Sequence, residues 1–339
     1  MRVPFYLAGI AFLIFSCKKS DNNTVINTPL PANVSITLLN TSITEPLVSV
    51  FFANPETGFV GGAKGGIFKT VDSGKTWTTL NSTVGLQINS LFFLNSQIGF
   101  AVGGEDFCGG TGCIIPGSFI LRTLNGGETW ENVYTPSGKV ELSSVHFVSA
   151  STGFCAGGDL IMKTSDSGRT WNEYKVNDLG GKMMQIIFTS TQKGYISSRA
   201  KIVETTDGGV SWNATNTQRK IGYVSISASG GALYVAGQNK MIKSTSEGLT
   251  WRELPNSPSD VSALHFIDNK KGFSFGMGDY SGGDFGHRYG VVYFTSNGGE
   301  TWSRSQDMEG VGTIPAVSFP TGSLGYAVGG NKIIRIRVN

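Results

Sequence analysis

The sequence predicts an all-β fold, a seven-bladed β-propeller with four antiparallel strands per blade, and three observations carry the prediction. An eight-residue box ending in Trp recurs six times and accounts for every Trp of the chain. A Gly-aromatic strand or its equivalent recurs seven times, at GFVGG (58–62), GFAVGG (99–104), GFCAGG (153–158), GYIS (194–197), LYVAG (233–237), GFSFG (272–276) and GYAVGG (325–330). The last unit stops after three strands, while VSITLLN (34–40) near the other end is a strand without a unit. Self-similarity at a period near 40 residues is the mark of a propeller blade.

Composition agrees with a turn-rich packed domain. Of 339 residues, 47 are Gly and 39 % are hydrophobic; twice the usual ~7 % share of Gly with that much apolar content excludes both disorder and collagen. A net charge of +3 from 27 basic and 24 acidic side chains offers no basic field, so nucleic acid is excluded as a partner.

Taken in chain order, residues 1–16 read as an export signal. Met1-Arg2 precedes an apolar stretch from Val3 to Phe15. At ~1.5 Å per residue, thirteen residues span roughly 20 Å, short of the ~30 Å hydrocarbon core. Ile14-Phe15-Ser16-Cys17 resembles a bacterial lipobox, which implies acylation of Cys17; an ordinary cleaved signal with Cys17 incidental is the alternative. Residues 17–33 are polar, carry two prolines and lack a period, which predicts a flexible tether. The expected location is therefore the bacterial cell envelope, periplasmic or surface-exposed, with the membrane reached through the lipid and the protein a monomer.

The blades follow over 34–339 as one domain. LVSVFF (47–52) predicts a first strand, GFVGG a second and GIFKT (66–70) a third that enters the box; Trp77 opens the fourth. The six Trp lie 53, 41, 41, 39 and 51 residues apart, so three steps are near 40 and two carry insertions. Joining the strand at 34–40 to PAVSF, GYAVGG and KIIRIRV completes a seventh blade from both ends of the chain and removes open sheet edges.

The box reads Thr/Ser-x-Asp/Asn/Ser-x-Gly-x-Thr/Ser-Trp. Its third position is Asp72, Asn125, Asp166, Asp207, Ser246 or Asn297, a side chain that accepts backbone N–H bonds; its Gly supplies positive φ. The predicted product is a tight hairpin. Trp77, Trp130, Trp171, Trp212, Trp251 and Trp302 are expected to serve structure, because burying ~200 Å² of indole at ~25 cal/mol/Å² is worth up to ~5 kcal/mol, more than exposed stacking returns. Ser246 argues against calcium at these positions.

This pattern resembles the Asp-box, or BNR, repeat of sialidases, xyloglucan-cleaving hydrolases, sortilin-type receptors and the photosystem II stability/assembly factor family. The linked unit GFVGG…GIFKT-x-D-x-G-x-T-W looks most like the last of these, a resemblance that implies a seven-bladed lipoprotein acting as an assembly scaffold. It carries no photosynthetic role with it, since function must be argued from a site.

A sialidase needs three converging arginines, and its early Arg-Ile-Pro segment is missing here. Arg122, Arg169, Arg252 and Arg304 lie in or beside strands flanking boxes, and Arg335 and Arg337 alternate in the last strand. No catalytic residue, metal site or cofactor is assigned. A carbohydrate-active protein, either a glycan binder or a divergent glycosidase or sialidase, is the alternative, because a carboxylate pair is defined by a spatial gap and not by sequence spacing. His146 and His265 occupy equivalent first-strand positions in blades three and six and are read as packed. Cys155 replaces Val60 or Ala101 of other blades as a small core residue, and Cys108 with Cys113 is a candidate disulfide in an exported chain.

Both insertions fall between second and third strands, EDFCGGTGCIIPGSF (105–119) in blade two and GDYSGGDFGHRYG (278–290) in blade six. Equivalent loops share one face of a ring. Lys64, Arg199, Lys201, Lys240 and Lys332 occupy the same turn elsewhere, with Asp159 the acidic exception, which predicts a mildly basic mouth. Asp279, Tyr280, Asp284, Phe285, His287, Arg288 and Tyr289 gather aromatic and charged groups in one loop, and Tyr and Arg are enriched in interface hot spots. The reading is a non-enzymatic, lipid-anchored scaffold that binds an unidentified protein partner through this face, with a glycan as the other ligand considered.

Overall fold

The structure is a computed structural model and describes residues 28–104, 117–136, 140–176, 181–215, 222–237, 240–278 and 289–339. Strand β1 (Val34–Leu39) precedes the blades. Blade one is β2 (Leu47–Phe52), β3 (Gly58–Gly62), β4 (Ile67–Thr70) and β5 (Thr78–Leu80); blade two is β6 (Ile88–Phe93), β7 (Gly99–Gly104), β8 (Ser118–Thr123) and β9 (Glu131–Tyr134). Blade three is β10 (Ser144–Phe147), β11 (Gly153–Gly157), β12 (Leu160–Thr164) and β13 (Asn172–Lys175); blade four is β14 (Met183–Phe188), β15 (Gly194–Ser198), β16 (Ile202–Thr205) and β17 (Asn213–Ala214). Blade five is β18 (Tyr223–Ser229), β19 (Ala232–Gly237), β20 (Met241–Ser244) and β21 (Arg252–Leu254); blade six is β22 (Val261–Phe266), β23 (Gly272–Met277), β24 (Gly290–Thr295) and β25 (Ser303–Arg304). Blade seven takes β26 (Ala316–Thr321), β27 (Leu324–Gly329) and β28 (Lys332–Val338), and β1 pairs antiparallel with β28 from Val34↔Val338 to Leu39↔Ile333. Seven four-stranded sheets result, closed by the two ends of the chain. The first strand of each blade lies against the first strands of both neighbours, so the ring is complete.

Two departures from the sequence reading concern boundaries. The fourth strand of blade one starts at Thr78, one residue after Trp77. Thr28 to Asn33, which the sequence assigns to the tether, are docked: the Thr28 carbonyl accepts the Arg304 N–H at 2.7 Å, Pro29 bridges Arg304 in parallel, and Leu30 packs on the core shared by blades six and seven. Proline donates nothing to a ladder, which suits it to an outer edge.

The core sits between blades, one apolar cluster per joint. Its main device follows from the Gly-aromatic strand. A Cβ on Gly58 would stand 2.5 Å from the Phe52 ring, so only glycine lets that ring lie flat across the second strand. The ring then stacks on the second-strand aromatic of the preceding blade, as Phe93 does on Phe59 (3.8 Å), Phe147 on Phe100 (4.3 Å) and Phe52 on Tyr326 (3.6 Å). The box indole meets the same ring edge-on, Trp130 to Phe93 at 6.0 Å and 84°. Trp130, Trp171 and Trp302 are buried; Trp77, Trp212 and Trp251 are half-buried.

Within the box, Asp72 Oδ1 accepts from the Thr70 hydroxyl (2.8 Å) and the Thr76 N–H (2.9 Å), and Oδ2 accepts from the Thr76 hydroxyl (2.6 Å). Those bonds hold the Asp72 carboxyl down at about 2, and Asp166 at the same value. Gly74 sits at φ 80°, as expected, but Ser73 before it is also left-handed at 61°, a position where other boxes place Gly126, Gly208 or Gly298.

Candidate functional site: the central channel and its mouth

Strand direction fixes two faces. The boxes share one face with the turns between first and second strands, joined by bonds such as Ser73 N–H to the Glu56 carbonyl (3.0 Å) and Gly126 N–H to the Gln97 carbonyl (2.8 Å). The second-to-third-strand turns and the connections between blades share the other. Gly104 with Gly117, and Gly278 with Tyr289, mark where the two insertions leave, so both leave on that second face.

Between the faces runs a channel of about 1010 Å³ lined by the seven first strands. A first strand has only one sheet neighbour, so its free edge is closed by side chains. At each of the seven joints a polar side chain bonds to the next blade's first strand or, in blade seven, to the residue two positions before it. Ser49 donates to Ile88 O (2.6 Å); Ser90, Ser144, Ser225 and Ser318 accept from Val145, Ile186, Leu264 and Phe52 N–H; Gln185 accepts from Ile226 N–H (2.9 Å); Ser262 donates to Ile314 O (2.7 Å). Each buried polar bond is worth about 1 kcal/mol net, and more is lost when a partner is stranded. Sequence reasoning missed these pegs, whose partners stand roughly 40 to 55 residues away at six joints and 266 residues away at the seventh, where Ser318 meets Phe52 across the closure.

Deeper toward the box face the channel is apolar. Equivalent positions carry Phe51, Phe92, His146 and Ile187 in blades one to four, then Ser227, His265 and Ser318. Phe51 and Phe92 are 5.3 Å apart, Phe92 and His146 5.5 Å, and His265 stacks on Phe319 at 4.6 Å. Burial pushes both imidazoles down to about 4, so they are neutral near pH 7.

The mouth on the insertion face is polar. Glu141 accepts from Asn89 Nδ2 (2.8 Å) through Oε1 and pairs with Lys182 through Oε2. Gln87 donates to Asn89 Oδ1 at 2.6 Å. Arg199 stands next to Lys182, its backbone N–H bonded to the Lys182 carbonyl at 3.2 Å, and its guanidinium has no partner among the described residues. Asp260, at φ 53°, lines the blade-six side.

The expected basic mouth is partly neutralised. Lys240 pairs with Glu253 at 2.9 Å, Lys332 opens β28 instead of sitting in a turn, and Lys64 bonds Glu45 through its backbone N–H (2.9 Å). Lys201 follows Ser198, whose hydroxyl accepts its N–H at 3.0 Å; Asp159 is exposed. Of the blade-six binding candidates Tyr289 is placed; Asp279, Tyr280, Asp284, Phe285, His287 and Arg288 lie outside the described residues, as do Cys17, Cys108 and Cys113. Cys155 is fully buried in the joint of blades two and three, with its thiol pushed up by burial.

Comparison with known proteins follows the same division between fold and site. The family described as Photosynthesis system II assembly factor YCF48 matches residues 176–323, a little under half of the chain. No curated protein matches the sequence. Among solved structures, YCF48 bound to D1 peptide superposes with a TM-score of 0.70 at 18 % identity, covering 93 % of this chain and all of that one. YCF48 from Cyanidioschyzon merolae gives 0.70 at 13 % identity over 89 % of this chain and 99 % of that one. The GH74 enzyme of Niastella koreensis gives 0.66 at 17 % identity over 88 % of this chain but 53 % of that one. In fold along its length, and in sequence over residues 176–323, the chain is an Asp-box seven-bladed β-propeller similar to the photosystem II assembly factor YCF48 family.

Proposed function

We propose that the protein is a non-enzymatic scaffold of the bacterial cell envelope, held to the membrane by a lipid on Cys17, that binds a protein partner on the face bearing the channel mouth and the two insertions. The observation that carries this reading is the likeness to a propeller seen with a peptide, YCF48 bound to D1 peptide, over 93 % of the chain. Two features of the site support it. Glu141 has both carboxylate oxygens engaged by Asn89 and Lys182, which suits a structural carboxylate better than a general acid. The chain also covers only 53 % of the GH74 enzyme it matches, one propeller's worth, so the likeness does not extend to that whole enzyme.

The test is affinity purification of the full chain from its native membrane beside a glycan array. The reading expects a defined protein partner that is lost when Tyr280, Arg288 and Tyr289 are replaced together by Ala, with melting unchanged. Glycan binding without protein capture overturns it. For the anchor, Cys17→Ala is expected to abolish palmitate labelling and release the protein from membranes; labelling that persists in the variant refutes the lipid.

A further inference from the structure

The channel wall is two-sided in chemistry as well as in shape. At the mouth, Lys182 is spent on Glu141, while the guanidinium of Arg199 beside it is exposed and has no partner among the described residues; an exposed anion, Asp260, stands on the blade-six side. Cation and anion are thus divided across the opening, which directs an entering carboxylate to blade four. Below, Phe51, Phe92 and Ile187 form an apolar arc on blades one, two and four, whereas the same position in blades five and seven is Ser227 and Ser318. Arg199 is level with Lys182, and Ile187 lies five residues further along the same wall. A bulge between Met183 and Gln185 shortens that path to the four residues that separate Arg199 from Tyr195, the partner of Ile187, so at ~3.3 Å per residue it is about 13 Å, which an extended peptide covers in about four residues.

We propose that the channel itself seats an extended peptide segment, its carboxylate on Arg199 and a bulky apolar side chain three to five residues away on the arc of Phe51, Phe92 and Ile187. The proposal rests on the reading of this face as a protein-binding one and specifies the chemistry that the partner must carry. The shared chemistry, a carboxylate, comes either from a chain terminus or from an Asp or Glu side chain.

A random octapeptide library, presented once with a free C-terminal carboxylate and once amidated, is screened on the full-length protein, and enriched peptides are measured by fluorescence anisotropy. Enriched peptides are expected to pair an acidic group with Phe, Trp, Leu, Ile or Met three to five positions away. Arg199→Gln should weaken them at least ten-fold and flatten their salt dependence. Phe51→Ser with Phe92→Ser should also cost at least ten-fold; serine already stands at this position in blades five and seven, and circular dichroism checks that the sheets persist. Loss of binding on amidation assigns the carboxylate to a chain terminus, and retention assigns it to a side chain. No enrichment, or affinities that neither variant moves, overturns the proposal. If the parent enriches nothing from the library, or peptides that neither channel variant weakens, but still captures the partner through the insertion loops, the channel seat fails and the scaffold reading stands; if the parent captures no protein, the scaffold reading itself fails.

Discussion

At the scale of the residue, the same position is filled by different side chains in different blades, and the differences carry testable consequences for pH. Asp72, Asp166 and Asp207 hold their box turns as carboxylates, all below their ordinary value because hydroxyl and N–H donors stabilise the charged form. A depressed carboxylate stabilises the fold above the unfolded value of ~4, and that stability drains away as pH falls through about 2. Asn125 and Asn297 make the equivalent turn with a neutral amide, Asn125 accepting the Thr129 N–H at 2.9 Å and donating to its hydroxyl at 2.9 Å. Replacing the three Asp by Asn is therefore expected to shrink the acid-induced loss of stability between pH 4 and pH 2; urea denaturation at the two pH values measures it, and an unchanged loss contradicts the assignment. His146 titrates in a higher window. It is neutral in the fold down to about 4 but charges near ~6.5 when unfolded, so stability falls as pH drops from ~6.5 toward 4. His265 behaves alike, so His146→Phe, which copies Phe92 of blade two, should shrink the drop in melting temperature between pH 7 and pH 4.5 by His146's share and leave that of His265.

At the scale of the element, what was legible in the sequence is what the repeat prints in every blade, and what was hidden depends on a neighbour. The Gly-aromatic strand, the box and the order of four strands are local patterns, so the all-β propeller, its blade count and its closure could be read directly. The serine pegs, Lys182 on Glu141 and Lys240 on Glu253 join segments that only the ring brings together, and a basic mouth inferred from residue types alone missed its own counter-charges. Blade five shows the same limit. Six blades pair a first-strand Phe with a second-strand Gly; blade five has Ala228 opposite Leu233. Leu233 fills the space beside Tyr195 that a ring takes at other joints. The bulk has moved from one strand to the next. Ala228→Phe alone should overpack, costing ~1–3 kcal/mol, and Leu233→Gly alone should leave a cavity, costing ~2–5 kcal/mol. The double variant recreates a stacked joint on Tyr195 and is expected to melt within a few degrees of the parent. Thermal unfolding of the four proteins gives the coupling, and additive losses would rule out the exchange of bulk between strands.

At the scale of the whole molecule, stability depends on a seam made by the chain's two ends. In blade seven β28 is bonded on one side to β27 and on the other to β1, through six residue pairs that bury Val34 and place Ile36 against the core of blades six and seven. The seam is continued beyond the strand: Asn339 N–H bonds the Asn33 carbonyl at 2.8 Å, Asn33 Nδ2 donates to the Asn339 carbonyl at 3.3 Å, and Thr28 to Leu30 run onto blade six. The segment that leads to the expected lipid is thus stapled to the ring before it reaches β1, and a pull on the tether meets the bridge at Arg304 first. Without residues 1–40, β28 becomes an open edge of seven residues, Lys332–Val338, with alternate side chains buried. Such an edge pairs with other chains. The truncated protein is expected to lose on the order of 10 °C in melting temperature, as a deficit of several kcal/mol would produce, and to associate as its concentration rises. A synthetic peptide of residues 28–40 added in trans should restore both the melting temperature and the monomer, because it re-forms the six pairs without the covalent link. Light scattering with and without the peptide decides the matter: a truncated chain that stays monomeric and melts like the parent would mean that three strands suffice for the seventh blade and that the ring is not held by its ends.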